Sequence, residues 1–368
     1  ATTSSIYWMF NDPKLAIIAF TSVLIIACPC ALALTVPFTY GSTMRQFGRR
    51  GFYIKNTDVI EKLRNINTII FDKTGTITIN STMKTQFIGE KLLDKNLLFI
   101  KSLASNSSHP LSTTITESIT SASSLLDVTD YQEIPSMGIS GIIDGMRINM
   151  GSSKFVTGKD DINPTSTNVY IFMNDRVVGY FKIENSYRKG LKGVIRQLRK
   201  YYSLYLLSGD NESERKNLTP LFGDDSNLKF NQSPSDKMDF VVELKQKNKS
   251  VLMIGDGLND AGALMESDVG LTIADDIYSF SPACDGIIES SRFHQLYNFI
   301  SFTKTSIIIV IISFVISFIY NFIGLYFAVQ GNLSPLIAAI LMPISSVSVV
   351  AFATLSINYL SNRLIPKA

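Results

Sequence analysis

Charge-free apolar stretches bracket a charged middle. No Asp, Glu, Lys or Arg occurs from Leu15 to Met44, and none from Thr305 to Asn362. A helix that crosses a bilayer needs ~20 mostly apolar residues, so the first stretch holds one span and the second holds two. The first is predicted from about Leu15 to Tyr40, broken near Pro29 and Pro37 because proline interrupts the helical ladder. The second runs from about Thr305 to Val329 and the third from about Leu336 to Leu360. The turn Gln330-Gly331-Asn332-Leu333-Ser334-Pro335 lies between them. Ile6 to Phe10, ahead of Asn11-Asp12-Pro13, reads as the end of an earlier membrane segment and a short turn.

The middle alternates short apolar runs with helical patterns. Thr68-Ile69-Ile70-Phe71 ends in Asp72-Lys73-Thr74-Gly75-Thr76, and Leu204-Tyr205-Leu206-Leu207 ends in Ser208-Gly209-Asp210. Ser250 to Ile254 ends in Gly255-Asp256-Gly257. Buried strands that stop at small and acidic residues predict an α/β domain with a parallel sheet and a site at its carboxyl edge. Residues 191–201 and 235–246 carry the helical period. Residues 81–185 lack this pattern and are predicted to be a second domain inserted into the first. The division is then 1–54 (span and stalk), 55–80 and 186–291 (the parallel-sheet domain), 81–185 (the insert) and 292–368 (two further spans). Serine-rich stretches at 121–124 and 157–167 are predicted surface loops.

A length of 368 residues leaves room for two or three domains at ~150 residues each. With 46% hydrophobic residues and a formal charge of +3, the chain is neither disordered nor a nucleic-acid binder. Three cysteines cannot build a disulfide framework. Arg45, Arg49, Arg50 and Lys55 follow the first span, Arg292 and Lys304 precede the second, and Arg363 and Lys367 follow the third. Loops rich in Lys and Arg stay in the cytoplasm, so this is predicted to be an integral membrane protein whose insert and C-terminus are cytoplasmic. The chain opens on Ala1-Thr2-Thr3 with no initiator Met and no signal-peptide pattern, which reads as a fragment.

Candidate chemistry sits at the strand ends. Asp72 can attack phosphorus, since aspartate is an established nucleophile in phosphoryl transfer. A phosphate that meets a carboxylate needs neutralisation by Mg²⁺ and a lysine. Asp256 and Asp260 suit a hard, oxygen-ligated cation. Lys237, at the start of a predicted helix, supplies the positive charge, and Ser208 can donate to a phosphoryl oxygen. Thr74, two residues after Asp72, cannot shuttle protons as an acid there would, so an acyl phosphate should persist and can drive a conformational change. Each string alone is the pattern of a solvated turn; three such strand ends plus the lysine, in this order, are not.

Asp72-Lys73-Thr74-Gly75-Thr76 together with Gly255-Asp256-Gly257-Leu258-Asn259-Asp260 resembles the signatures of P-type ATPases, which are built on the haloacid dehalogenase fold. The resemblance covers essentially the whole chain. It implies that ATP phosphorylates Asp72, with Mg²⁺ held by Asp72, the Thr74 carbonyl and Asp256, and with Asp260 beside them. It also implies that Ser208-Gly209-Asp210 stands for the family's Thr-Gly-Asp and that the insert is an α+β nucleotide-binding domain. His109-Pro110 is similar to the family's His-Pro, whose imidazole packs on adenine; Lys73, Gly138, Gly209 and Asp210 complete the expected ATP contacts. The pocket departs from the family at Ala104, where the copper members often have Glu. It departs again at Ser136-Met137-Gly138 and at Gly151-Ser152, in place of Gly-x-Gly and Gly-Asn. The family's Thr-Gly-Glu actuator loop precedes the phosphorylated Asp, whereas Ile88-Gly89-Glu90 follows it. The chain therefore resembles the C-terminal half of a pump. Alone it is expected to bind ATP and form the phosphoenzyme, not to complete transport.

Cys28-Pro29-Cys30 lies in the first span, where proline frees carbonyls and turns both sulfurs toward one point. Two thiolates favour Cu(I) or Zn²⁺, although buried cysteines are also ordinary packing residues. The triplet resembles that of the heavy-metal P-type ATPases. The copper subgroup has a Tyr-Asn pair and a Met followed four residues later by Ser; Tyr320-Asn321 and Met342 with Ser345 and Ser346 match them. The zinc-type relatives carry a charged pair in the last helices, and none occurs here. The resemblance thus implies ATP-driven Cu(I) export across a membrane, expected to be a bacterial inner membrane, with a copper chaperone as a candidate partner. Residues 38–56 and 103–110 resemble the transporters that supply copper for oxidase assembly. Alternatives are a pump for Zn²⁺ or another divalent ion, a membrane-tethered phosphatase of the dehalogenase fold, and a non-catalytic metal-binding subunit.

Overall fold

The computed structural model describes residues 1–28, 30–120, 124–134, 137–159, 167–210, 212–257, 259–275 and 283–366. Pro29, Ser136, Leu258, Lys367 and most of the predicted loops at 121–124 and 157–167 lie outside them. The chain begins with α1 (Thr2–Asn11), α2 (Pro13–Ile26), α3 (Cys30–Gly48), β1 (Phe52–Ile54), α4 (Asp58–Asn65) and β2 (Thr68–Asp72). Then come β3 (Thr78–Gly89), α5 (Asp94–Ala104), α6 (Pro110–Ser118), β4 (Thr129–Ile134), β5 (Gly138–Ile143), β6 (Met146–Gly151), α7 (Ser153–Thr157), β7 (Thr167–Met173) and β8 (Arg176–Tyr187). The remainder is α8 (Leu191–Leu198), β9 (Ser203–Leu207), α9 (Arg215–Phe222), β10 (Leu228–Lys229), α10 (Pro234–Gln246), β11 (Val251–Gly255), α11 (Ala261–Glu266), β12 (Val269–Ala274), β13 (Gly286–Glu289), α12 (Leu296–Val329) and α13 (Pro335–Leu364). Ala1–Phe71, Lys189–Leu204 and Pro234–Ala368 make one compact unit; Asp72–Arg188 and Tyr205–Ser233 make the other.

In the first unit, Pro13–Gly48, Ser290–Val329 and Pro335–Leu364 are long and apolar enough to cross a membrane. Asp12 starts α2 by accepting the Lys14 N–H at 3.0 Å, and Pro13 takes the first helical position, where its missing N–H costs nothing. The predicted break at Pro37 is absent: Pro37 lies inside α3. Thr35 and Thr39, on either side of it, are buried and donate their hydroxyls to the Ala31 and Thr35 carbonyls at 2.6 and 2.7 Å. Helix α12 starts at Leu296, well ahead of the predicted Thr305. Its first turns pack rather than face lipid, with Phe299 5.6 Å from the Phe47 ring and 5.0 Å from Phe52. Arg50, wholly buried, donates to the Ile365 carbonyl at 2.6 Å and to Asn362 Oδ1 at 2.7 Å, so the end of α3 is tied to the end of α13.

Among the described residues, the seven-stranded sheet runs β1-β13-β12-β11-β2-β9-β10. β2, β11 and β12 are buried along their whole length, which is why they read as unbroken apolar runs instead of alternating. β11 pairs parallel with β2 from Val251 opposite Thr68 to Ile254 opposite Phe71. β12 and β13 continue the parallel order, and β1 closes the edge antiparallel.

The second unit holds a six-stranded sheet, β3-β8-β7-β6-β5-β4, whose ladders are antiparallel. It opens where Thr78 pairs with Tyr187, so the chain leaves and returns along one ribbon. Phe99 and Leu103 of α5 and Ile115 of α6 pack with Ile148 and Ile171 of the sheet in its core. Each such buried side chain contributes about 1.5–3 kcal/mol relative to exposure.

Candidate functional site

Asp72 closes β2 and is 3% exposed. The chain then turns sharply, with Thr74 at φ −78°, ψ 125° and Gly75 at φ 73°, ψ −10°. These are the two central positions of a type II turn, whose second place demands positive φ and hence glycine. Thr78 Oγ1 accepts the Gly75 N–H at 3.2 Å and donates to the Lys73 carbonyl at 3.1 Å. Arg188, almost fully buried, donates from Nε and Nη2 to the Thr76 and Gly75 carbonyls, each at 2.8 Å. The turn is gripped from outside as well as built from within.

Lys73 points into the same unit. Its Nζ lies 2.6 Å from Asp210 Oδ2 and 2.8 Å from Glu214 Oε2. The Tyr187 hydroxyl donates to the other Glu214 oxygen at 3.0 Å. Thr74 Oγ1 donates to Asp210 Oδ2 at 3.4 Å, and the Asp210 N–H donates to Ser208 Oγ at 3.1 Å. Burial pulls the Lys73 ammonium down, but Glu214 first and then Asp210 outweigh it and hold the group above its ordinary value. Burial and then the Glu214 charge push the Tyr187 phenol up. Lys73, Thr74, Ser208 and Asp210 are thus joined in one network, with Gly209 exposed beside it. Glu214, Tyr187 and Arg188 belong to it too, and none was flagged from sequence. The signal for Glu214 was slight: an acid one helical turn after Asp210.

In the first unit, Lys237 on the opening turn of α10 meets Asp260 at 2.8 Å, with side chains 8% and 0% exposed. Burial raises the Asp260 carboxyl and Lys237 opposes it. Asp260 Oδ2 has no partner among the described residues. Asp256 is half-buried, and its two oxygens accept from the Asn259 N–H and side-chain amide, each at 3.2 Å. Asp256 and Asp260, the cation ligands expected from sequence, differ in setting: Asp260 is buried against Lys237, and Asp256 is half-buried and held by Asn259. The Asp72 and Asp256 carboxylates and the Thr74 carbonyl are hard oxygen donors, the chemistry Mg²⁺ takes.

His109 is exposed at the start of α6, where its Nδ1 accepts the Leu111 N–H at 3.2 Å, leaving Nε2 as the protonated nitrogen. Its own N–H donates to Ser107 Oγ, which donates in turn to Glu133 Oε1 at 2.9 Å. Gly138 pairs directly with Gly151 across β5 and β6.

In the spans, Cys28 and Cys30 are joined as a disulfide, Cα atoms 5.6 Å apart. The two sulfurs share one point, and metal ligation takes them as thiolates. Among the described residues no group of three or more His, Cys, Asp or Glu is placed to hold a metal. The Tyr320 hydroxyl donates to the Leu341 carbonyl at 3.1 Å and Ser346 donates to the Met342 carbonyl at 3.3 Å, so both protons are committed to backbone. Asn321 and Met342 are half-buried. A side chain at Gly324 would stand 3.0 Å from Ile26, a close approach that brings α12 against the end of α2, two residues from Cys28.

Residues 66–268 match the haloacid dehalogenase-like hydrolase family. A copper-transporting ATPase of Helicobacter pylori is 30% identical over 95% of this chain and 50% of its own length. A copper-exporting P-type ATPase of Staphylococcus haemolyticus is 31% identical over 92% and 44%. The chain spans about half the length of the curated relatives it matches. Of solved structures, the catalytic domain of the CPx-ATPase CopB-B is 31% identical with a TM-score of 0.52, covering 70% of this chain and 98% of that domain. A zinc-transporting PIB-type ATPase in its E2.Pi state shares the fold with a TM-score of 0.79 at 21% identity, over 94% of this chain and 59% of its own.

Proposed function

Because the chain belongs to the haloacid dehalogenase-like hydrolases and, among them, to the heavy-metal P-type ATPases, we propose that it carries the phosphorylation and ion-binding parts of an ATP-driven Cu(I) exporter. Asp72 is the nucleophile that takes the γ-phosphoryl group. The observation that carries this is the placement of Asp72: a buried carboxylate ending a central parallel strand, followed at once by a turn that Arg188 and Thr78 hold rigid. Lys73 and Ser208 join it in positioning the phosphate, and Lys237 supplies a second cation held ready by Asp260. Asp72, the Thr74 carbonyl and Asp256 are the residues for Mg²⁺, which when bound neutralises phosphoryl charge. His109 and Gly138 belong to the nucleotide-binding insert, with Gly209 and Asp210 on the phosphate side.

Copper as cargo is supported by the Cys28–Cys30 pair, by the Met342 thioether and by the absence of charged side chains between Thr305 and Asn362. Tyr320, Asn321 and Ser346 complete the expected ligand set. Lys and Arg at the ends of the spans support an orientation with the insert and C-terminus in the cytoplasm and the helices in a bacterial inner membrane, where a copper chaperone would deliver the ion. The test is incorporation of label from γ-phosphate-labelled ATP into the full chain with Mg²⁺ present. Label in wild type that disappears in Asp72→Asn is expected. Rapid hydrolysis of a small phosphate ester without stable label would instead identify a phosphatase.

A further inference from the structure

We propose that Glu214 is a positioning residue for phosphoryl transfer to Asp72: it anchors the Lys73 side chain, and through Lys73 the turn that follows the nucleophile, in place before ATP arrives. This rests on the phosphoenzyme reading above.

Lys73 has two carboxylates but only one fixed partner. The Asp210 side chain is 52% exposed and shares its Oδ2 between Lys73 and Thr74; the Glu214 side chain is 12% exposed and braced by the Tyr187 hydroxyl. An ion pair with a solvated partner contributes little geometric constraint, whereas a desolvated, hydrogen-bonded carboxylate holds its cation in one place. Glu214 also stands at the start of α9 without using its side chain to cap that helix. Its carboxylate reaches out to Lys73, 141 residues earlier in the chain. Tyr187 and Arg188 are consecutive, so a single segment leaving β8 holds the turn at two points. Tyr187 acts through Glu214 and Lys73, and Arg188 acts on the Gly75 and Thr76 carbonyls. Lys73 is 3% exposed and cannot swing into water for another partner. Without Glu214 its ammonium is left to the exposed Asp210, and the backbone next to Asp72 loses its reference.

The experiment measures phosphoenzyme formation in a single turnover by the full chain in detergent, over a range of γ-phosphate-labelled ATP concentrations. Wild type, Glu214→Gln, Glu214→Asp, Tyr187→Phe and Asp72→Asn are compared, with thermal unfolding of each. Glu214→Gln keeps the shape and removes the charge, and is expected to slow the step roughly ten- to hundredfold at saturating ATP, the scale of a displaced reacting group. Its half-saturating ATP concentration should move by less than about twofold, since a positioning role is separable from ground-state binding. Glu214→Asp should recover part of the rate, and Tyr187→Phe should lose only severalfold. A wild-type rate in Glu214→Gln overturns the inference, as does a loss that appears only as weaker ATP binding or that tracks unfolding. An unlabelled wild type, or label that survives in Asp72→Asn, overturns the phosphoenzyme reading itself and this role with it.

Discussion

Lys237 and Asp260 form a 2.8 Å ion pair almost entirely removed from water. Such a pair fixes the lysine's position, and it leaves Asp260 a buried charge without its cation when the lysine is removed. Lys237→Ala is expected to cost about 3–5 kcal/mol, the usual penalty for an uncompensated buried charge. The double change Lys237→Met with Asp260→Leu should restore most of the lost stability and none of the labelling by ATP. Thermal unfolding alongside phosphoenzyme assays separates the two effects.

Gly75→Ala places a Cβ at a positive φ of 73°. The strain is about 1–2 kcal/mol, and it falls on the turn beside Asp72. Arg188→Lys keeps the charge but loses the forked geometry that serves two carbonyls at once. Both variants should form phosphoenzyme more slowly than wild type while still binding ATP, as measured by nucleotide titration.

Thr74 has no carboxylate to take the proton of a water that attacks an aspartyl phosphate. Thr74→Asp introduces one two residues after the nucleophile, and is expected to shorten the life of the phosphoenzyme by tenfold or more, since a positioned general acid or base contributes ~10²–10⁴. A chase with unlabelled ATP after labelling measures this lifetime directly. An unchanged lifetime would show that residue 74 does not govern the persistence of the intermediate.

A two-sulfur site for a soft ion needs both Cys28 and Cys30 as thiolates, so binding of the proposed cargo ion is expected to depend on redox state. Chain kept reduced should bind Cu(I) in competition with a chromophoric chelator, and oxidised chain should not. Cys30→Ser should abolish binding under both conditions, because a lone thiolate cannot make the two-sulfur site that selects a soft ion.

Much of this was legible along the chain. β2 and β11 are buried on both faces, so Thr68–Phe71 and Val251–Ile254 stand out as unbroken apolar runs, and residues proposed for the chemistry stand at their ends. The spans stood out for lack of charge. Pro37 misled, because a propensity argument counts the hydrogen bond that proline removes but not the packing around it: Thr35, Thr39 and Tyr40 are buried and α3 runs on through the proline. The early start of α12 was hidden because Phe299 and Phe302 pack with Phe47, a partner some 250 residues away. The Glu214–Lys73 pair was out of reach for the same reason: a contact over 141 residues leaves no periodicity. Asp256 and Asp260 share one short motif, yet only burial against Lys237 sets their surroundings apart.

The most direct test is to find the modified atom. After brief incubation with ATP and Mg²⁺, borohydride reduction converts an acyl phosphate of aspartate to homoserine, which mass spectrometry locates in the peptide. Homoserine at position 72, formed only with ATP and absent from Asp72→Asn, is the result predicted. No reduced residue, or a borohydride-resistant phosphate on another side chain such as Ser208, would contradict an aspartyl-phosphate mechanism for this chain.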